Sequence, residues 1–340
     1  LFIIVGDPHF GKRHFSLSLF NNQLKFWEEI VKKANELNAP IISTGDLLDN
    51  RINIDINFFN NLIEKFINLL KKYNVTFYNI LGNHDIYYKN TREINLVKHL
   101  ENFYDKFHCI EEVTNISNIT LVPWVINKEK DLPKEYKDIV IGHFEFKDID
   151  KYVQGNLDLK TFSKAKLVLS GHYHNYSKKD NVIYVGTPYQ LDWGDYKHKK
   201  GYYILNEKTF ELEFIENNVS KKFIKLKYDD SFDNPLIISG YTENDLYFNI
   251  NEIPFEILEN NNFKFFINNA KNKDYQKVIY ELSKRHLNFE VINNVEMSAI
   301  LELEYKPQEI EIKNENILEL IPKKYQKLLE KIKRNNIEKS

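Results

Sequence analysis

Residues 76–85 read Thr-Phe-Tyr-Asn-Ile-Leu-Gly-Asn-His-Asp, an apolar run that breaks into a glycine followed by polar, metal-liganding side chains. Thr76–Leu81 has the length and composition of a buried strand, and Gly82-Asn83 permits the sharp exit that such a strand needs. The same sentence recurs along the chain. Phe2–Val5 runs into Gly6-Asp7-Pro8-His9, Ile41–Ser43 into Gly45-Asp46-Leu47-Leu48-Asp49, Ile139–Ile141 into Gly142-His143, and Leu167–Leu169 into Gly171-His172-Tyr173-His174. Five apolar strands, each ending in a glycine and then in histidine, aspartate or asparagine, specify an α/β sheet protein whose strand ends converge on one site.

Between these blocks the period changes to that of a helix. Leu24, Trp27, Val31 and Ala34 recur at helical spacing within 22–37, and Phe58, Phe59, Leu62, Phe66 and Leu69 form a second apolar stripe. Further strands are predicted at Ile119–Val122 and Val182–Val185, and a hairpin of Tyr202–Leu205 with Phe210–Ile215 closes the unit. The pattern shifts near residue 222, which sets expected domains of 1–221, 222–312 (smaller, α+β) and 313–340 (a terminal helical segment).

Composition narrows the class. The 340 residues are 42% hydrophobic and 28% charged, as in a globular protein, and 47 basic against 49 acidic side chains leave a net charge of −2. A polyanion would have to be held by a local patch. The single cysteine, Cys109, can form neither an intrachain disulfide nor a thiolate zinc site by itself, which fits a reducing, cytoplasmic setting. Leu1–Val5 is too short for a signal-peptide core or membrane span, and no later segment qualifies, so no membrane partner is expected. The one methionine is Met297, so Leu1 reads as lying inside a longer gene product.

Each block has a bland reading when taken alone: a turn, a helix cap, a satisfied histidine. Their conjunction does not, since five of the ten histidines fall in these blocks, each after a strand. Asp7/His9 and His172/His174 are spaced i, i+2, which aims both members of a pair to one side of extended backbone. Mixed imidazole and carboxylate ligands without thiolate suit manganese, iron or zinc. A pair of such ions can clamp a phosphate and activate water.

The five blocks together resemble the calcineurin-like metallophosphoesterase superfamily, with its pattern D-x-H, G-D-x-x-D, G-N-H-[DE], a later H, and G-H-x-H. That resemblance implies a four-layer α/β/β/α sandwich with a smaller α+β capping domain and a terminal helix. It assigns one divalent ion to Asp7, His9, Asp46 and His174 and a second to Asp46, Asn83, His143 and His172, with Asp46 bridging and Mn2+ the expected metal. His84 becomes the non-ligand histidine serving the transition state or leaving group. Within the superfamily the chain is similar to SbcD-type nucleases, particularly the recombination endonuclease subunits of tailed phages. Asp49-Asn50-Arg51 replaces the phosphatase ending Asp-Arg-Gly, the fourth block reads Gly142-His143-Phe144-Glu145, and Tyr184–Pro188 and Gly194–Tyr202 match the segment after the last histidines.

The same resemblance implies hydrolysis of DNA, as an exonuclease on duplex ends and an endonuclease on single strands, in recombination and double-strand-break processing. It implies an SbcC-type ATPase partner and a homodimer joined near 58–70 or 90–107. A free-standing metallophosphatase or cyclic-nucleotide phosphodiesterase is the alternative. Asp49 is expected to accept a hydrogen bond from His84; capping the following helix is the competing reading, and Asp85 is assigned a structural role. Lys323–Lys339 carries seven basic and two acidic residues, with Tyr325, Leu328, Leu329 and Ile332 at helical spacing. This tail is either a solvated amphipathic helix or the partner-binding surface. Lys12, Arg13 and Arg51 are explained equally well by DNA phosphates and by solvation. His14, His99, His108, His198 and His286 lack ligand-spaced neighbours. The ligand set also predicts that metal affinity falls away below the histidine range near pH 6.5.

Overall fold

The computed structural model describes residues 1–147, 155–229, 236–240, 245–247, 250–259, 261–269, 275–284 and 290–293. The expected segment 313–340, with its partner-binding role, lies outside them, as does His286.

Strands β1 (Phe2–Val5), β2 (Ile41–Ser43), β3 (Phe77–Ile80) and β4 (Phe107–Ile110) lie side by side and parallel. The chain then builds a second sheet from β5 (Thr114–Ile116), β6 (Ile119–Val122), β7 (Ile139–His143), β8 (Leu167–Gly171), β9 (Ser177–Lys179) and β10 (Val182–Tyr184), in the order β5-β6-β7-β8-β10-β9. The hairpin β11 (Gly201–Asn206) and β12 (Glu211–Glu216) returns to the first sheet, where β11 pairs antiparallel with β1. Antiparallel strands thus edge a parallel core in both sheets.

Side chains alternate across a strand, and this sorts the apolar runs into two cores. Ile3, Val5 and Ile41 face the helices, whereas Phe2, Ile4, Ile42 and Ile80 meet Leu121, Ile141 and Leu169 of the second sheet. Burial on both faces is why these strands read as unbroken apolar runs instead of alternating ones.

The helical layer begins earlier than expected. Helix α1 spans Leu17–Leu37, five residues more than the spacing suggested, because the Ser16 hydroxyl accepts from the Leu19 amide at 3.3 Å and caps it. Leu24 is only half-buried; Phe20, Phe26, Trp27, Ile30, Val31 and Ala34 supply the inner face. The second stripe lies on α2, a continuous helical run over 56–72 whose centre, Leu62–Ile67, has π-helical pairing. That wider turn rotates the buried face to Phe58, Leu62, Phe66, Ile67 and Leu70, leaving Phe59 and Leu69 half-buried. The fourth layer is thin. Among the described residues, Phe144, Phe146, Leu157 and a short 3-10 turn at Leu159–Phe162 cover Val140, Val168 and Val182, with no long helix.

A third sheet starts at Phe223, in the order β15-β14-β13-β16-β17: β13 (Phe223–Asp229), β14 (Leu236–Ser239), β15 (Asp245–Tyr247), β16 (Asn262–Asn269) and β17 (Glu290–Asn293). Helix α3 (Tyr275–Lys284) buries Val278 and Leu282. Among the described residues, no helix is long and apolar enough to cross a membrane.

Candidate metal centre

Parallel pairing aligns the strand ends. Val5 is level with Ser43, which is level with Asn79, and Gly142 is level with Ser170, so the loops that follow leave their sheets at one height. All five sequence blocks lie there. The left-handed backbone of His9 (φ 45°), Asp46 (φ 49°) and His172 (φ 89°) bends the ligands inward, each conformation costing roughly 1–3 kcal/mol that the surrounding contacts must offset. A Cβ on Gly82 would sit 2.1 Å from Asp46 Oδ1, and one on Gly171 would sit 2.3 Å from Asp7 Oδ1. Gly82→Ala is therefore expected to displace Asp46 and destabilise the fold by about 1–3 kcal/mol, read as a lowered melting temperature together with weakened Mn2+ binding.

Seven of the site residues form two groups, and a further cluster of His9, Asp49 and His84 adjoins the first through His9. In the first, Asp7, His9 and His174 bring ligand atoms within 4.8 Å of one another, and the Nε2 atoms of His9 and His174 are 3.0 Å apart. In the second are Asp46, His143 and His172. Asn83 joins it, with Oδ1 lying 3.0 Å from both His143 Nε2 and His172 Nδ1. Asp46 stands between the groups: its Oδ2 is 3.4 Å from His143 Nε2 and 3.8 Å from His9 Nε2. The first group draws on both sheets, and so does the second.

The hydrogen-bond inventory supports a fit to cations. His143 is fully buried, and its Nδ1 donates to the Thr44 carbonyl at 2.9 Å. Its Nε2 therefore faces two oxygen acceptors, Asn83 Oδ1 and Asp46 Oδ2, and needs either a proton or a metal ion there. Burial by itself would lower the His143 pKa, but the Asp46 charge and hydrogen bond outweigh it and lift the ring to about 9. Burial would raise Asp46, yet His143 and His9 hold its carboxyl well below the usual range. His172 goes the other way, down to about 3, through burial and the neighbouring His143 charge.

The signs give a testable profile for the metal-free protein. His143, raised above its usual 6.5, contributes stability that is full below 6.5 and lost as pH rises through about 9. Asp85 is pushed up to about 7 by burial and the Asp46 charge, so its contribution is likewise full below 3.8 and lost through 7. Asp46, held low, contributes stability above 3.8 that is lost in stronger acid. The melting temperature in chelator should therefore fall between pH 6 and pH 10. Calorimetry in buffers of different ionisation enthalpy should show Mn2+ expelling a proton below about pH 9. The onset of weakened metal binding thus lies higher for His143 than the ordinary histidine range implies.

His84 departs from the expected geometry. Its Nδ1 lies 2.6 Å from the Asp49 backbone carbonyl, to which it donates, while the Asp49 carboxylate is 3.2 Å from His9 Nδ1 and 3.8 Å from Lys12 Nζ. The expected carboxylate–imidazole hydrogen bond is therefore replaced by a main-chain one. The reason is local: the Asp49 amide donates to the Phe10 carbonyl and the Leu48 amide to Asp85 Oδ1, which turns the Asp49 carbonyl toward His84. A fixed carbonyl selects the tautomer as a carboxylate would, leaving Nε2 for chemistry. Asp85 also accepts from the Gly82 amide at 3.0 Å, so it ties two site loops together.

Several contributors carried no motif. Trp124 packs its ring 5.2 Å from that of His172, and its carbonyl accepts from Arg92, which pairs with Asp131 at 2.8 Å. It lines a cleft of about 400 Å3 with Asn83, His172, Arg51 and Lys89. Lys12 lies 3.6 Å from Asp192, and Arg13 donates to the Leu191 carbonyl, so both have contacts within the chain. A proline-tryptophan pair directly after an apolar strand was the only available hint for Trp124. His108 stacks on Tyr78, away from the site.

This fold, with two ligand groups at its strand ends and a histidine beside them, defines a phosphoester hydrolase. The chain belongs to the calcineurin-like phosphoesterase family, whose model matches residues 1–176. It is similar to exonuclease subunit 1 of Enterobacteria phage T4, 28% identical over 229 residues that cover 64% of this chain and 67% of that protein. It is also similar to the DNA double-strand break repair protein Mre11 of Nanoarchaeum equitans, 24% identical over 246 residues, 69% of this chain and 62% of that one. The chain thus spans about two thirds or less of the length of these relatives. The family and the ligand groups together establish a divalent-metal hydrolase.

Proposed function

We propose that the chain is a Mn2+-dependent DNA nuclease of recombination and double-strand-break processing. On this reading it acts as an exonuclease on duplex ends and an endonuclease on single strands, with an SbcC-type ATPase and as a homodimer. The observation that carries the reading is Asp46, standing between two histidine-rich groups with His84 beside them, in a chain similar to an exonuclease subunit and to a double-strand break repair protein. Asp7, His9, Asp46 and His174 would hold one ion and Asp46, Asn83, His143 and His172 the other. Divalent ions bound there would neutralise phosphate charge and make water a competent nucleophile at neutral pH.

The chain's own groups do the rest. His84, with Nδ1 pinned by the Asp49 carbonyl, presents Nε2 to protonate the departing sugar oxygen. Asp49 holds the His9 ring through its carboxylate and His84 through its backbone. Residues from 222 to 312 would form a cap that narrows access to the ions, and 313–340 would bind the partner. The test is digestion of linear duplex and single-stranded DNA with Mn2+, with and without an SbcC-type ATPase. Cleavage abolished by chelator is the expected result. Failure on both DNAs alongside rapid turnover of a small phosphomonoester would instead identify a free-standing phosphatase.

A further inference from the structure

His174 is held by a residue outside the five blocks. Lys200 is 6% exposed, and its ammonium donates to the His174 carbonyl at 2.6 Å, Asn175 Oδ1 at 3.1 Å and Asp195 Oδ1 at 2.6 Å. Three N–H donors meet three acceptors. A buried lysine persists only when fully paired, and here one of those bonds goes to the main chain of a ligand loop. The other oxygen of Asp195, itself buried, accepts from the Leu191 amide at 2.8 Å.

The same loop, 189–200, reaches the other histidine of the first group. Tyr189 is buried, and its hydroxyl donates to the Pro8 carbonyl at 2.7 Å, next to His9. His9 and His174, whose Nε2 atoms face each other, are thus both tethered to one loop through neighbouring carbonyls. The second group has other anchors: the Thr44 carbonyl for His143, Asn83 for His172, and Asp7 Oδ2 for the His172 amide. On its outer side the loop meets the third sheet. Gln190 Oε1 accepts from the Phe223 amide at 2.5 Å, the Trp193 ring lies 4.9 Å from that of Phe223, and the Tyr196 hydroxyl is 2.7 Å from Ser239 Oγ.

We propose that Lys200 is a positioning residue for the first ion, acting through the main chain of His174, and that loop 189–200 makes that ion's affinity depend on the seating of the third sheet. The proposal rests on the two-ion reading above. Its test is Mn2+ titration of the full chain, followed by the resonance of the free ion, for the parent, K200R, W193A and the double variant K200M/D195L. The double variant removes both buried charges and leaves no orphaned carboxylate.

The parent should bind two ions. K200M/D195L should bind one as tightly as the parent and the other about 10–100-fold more weakly, with K200R intermediate and W193A affecting the same ion. Equal weakening of both ions, or unchanged affinity for both, in a variant whose melting temperature in chelator matches the parent, overturns the proposal. Should the double variant fail to fold, K200R decides, because it keeps charge and donors: unaltered binding of both ions there is fatal to the idea. A parent that binds fewer than two ions refutes the two-ion reading itself, before any variant is compared.

Discussion

His84→Ser should reduce phosphodiester cleavage by about 100- to 10,000-fold while both ions stay bound. His84 lies outside the two proposed ion groups, beside His9 and Asp49; its ring Nδ1 is occupied by the Asp49 carbonyl, and its amide donates to Asp46 Oδ1 at 2.8 Å. That amide bond belongs to the backbone and survives the substitution, so Asp46 keeps its place. Serine removes the ring that would protonate the leaving oxygen and leaves all seven proposed ligands in place. A substrate with a leaving group acidic enough to depart unprotonated, such as a nitrophenyl phosphodiester, should lose far less. Equal losses on both substrates, or loss of an ion, would refute the proton-donor role.

Asp46→Asn should abolish binding of the ion pair. The carboxylate is 2% exposed and is the only acidic side chain within 4 Å of both His9 and His143 among the described residues. The amide keeps the shape but cannot supply charge to two sites. Affinity should drop by more than the roughly 100-fold seen on losing an outer partner of a ligand. In chelator the variant should also lose the part of the alkaline decline in melting temperature that His143 contributes, since the charge raising its pKa is gone. Parental Mn2+ stoichiometry in D46N would dismantle the bridging assignment.

The ligand residues were legible because each is anchored to a strand end by one short motif, and a parallel sheet turns such motifs into neighbours whatever their separation in sequence. Asp7 and His172 are far apart in the chain, yet the His172 amide donates to Asp7 Oδ2 at 2.8 Å. What the residues did not disclose were contacts decided by side-chain reach. Asp49 could have turned to His84 or His9, and only the packed loop chose His9. Lys200 stood out only as part of the Gly194–Tyr202 resemblance, with no role attached, because nothing local reveals that its head is buried against the His174 carbonyl. The π-helical stretch escaped for a similar reason: Leu62–Ile67 has an ordinary helical composition, and its extra residue per turn is imposed by packing.

The strand order of the first sheet has a bearing on how small a working version of this protein can be. All seven candidate ligands lie between Asp7 and His174, so a fragment ending there would carry the whole chemistry. It would not carry the sheet. β1 sits in the interior of its sheet, and its second side is closed only by β11, where Ile3 faces Ile204. A ribosome finishing His174 has made every ligand while the strand bearing the first two still presents an unpaired, wholly apolar edge, a known route to self-association. The shortest segment able to bind metal is thus set by a pairing partner about two hundred residues from β1, and truncation toward the chemical minimum should yield aggregates before it yields a smaller enzyme.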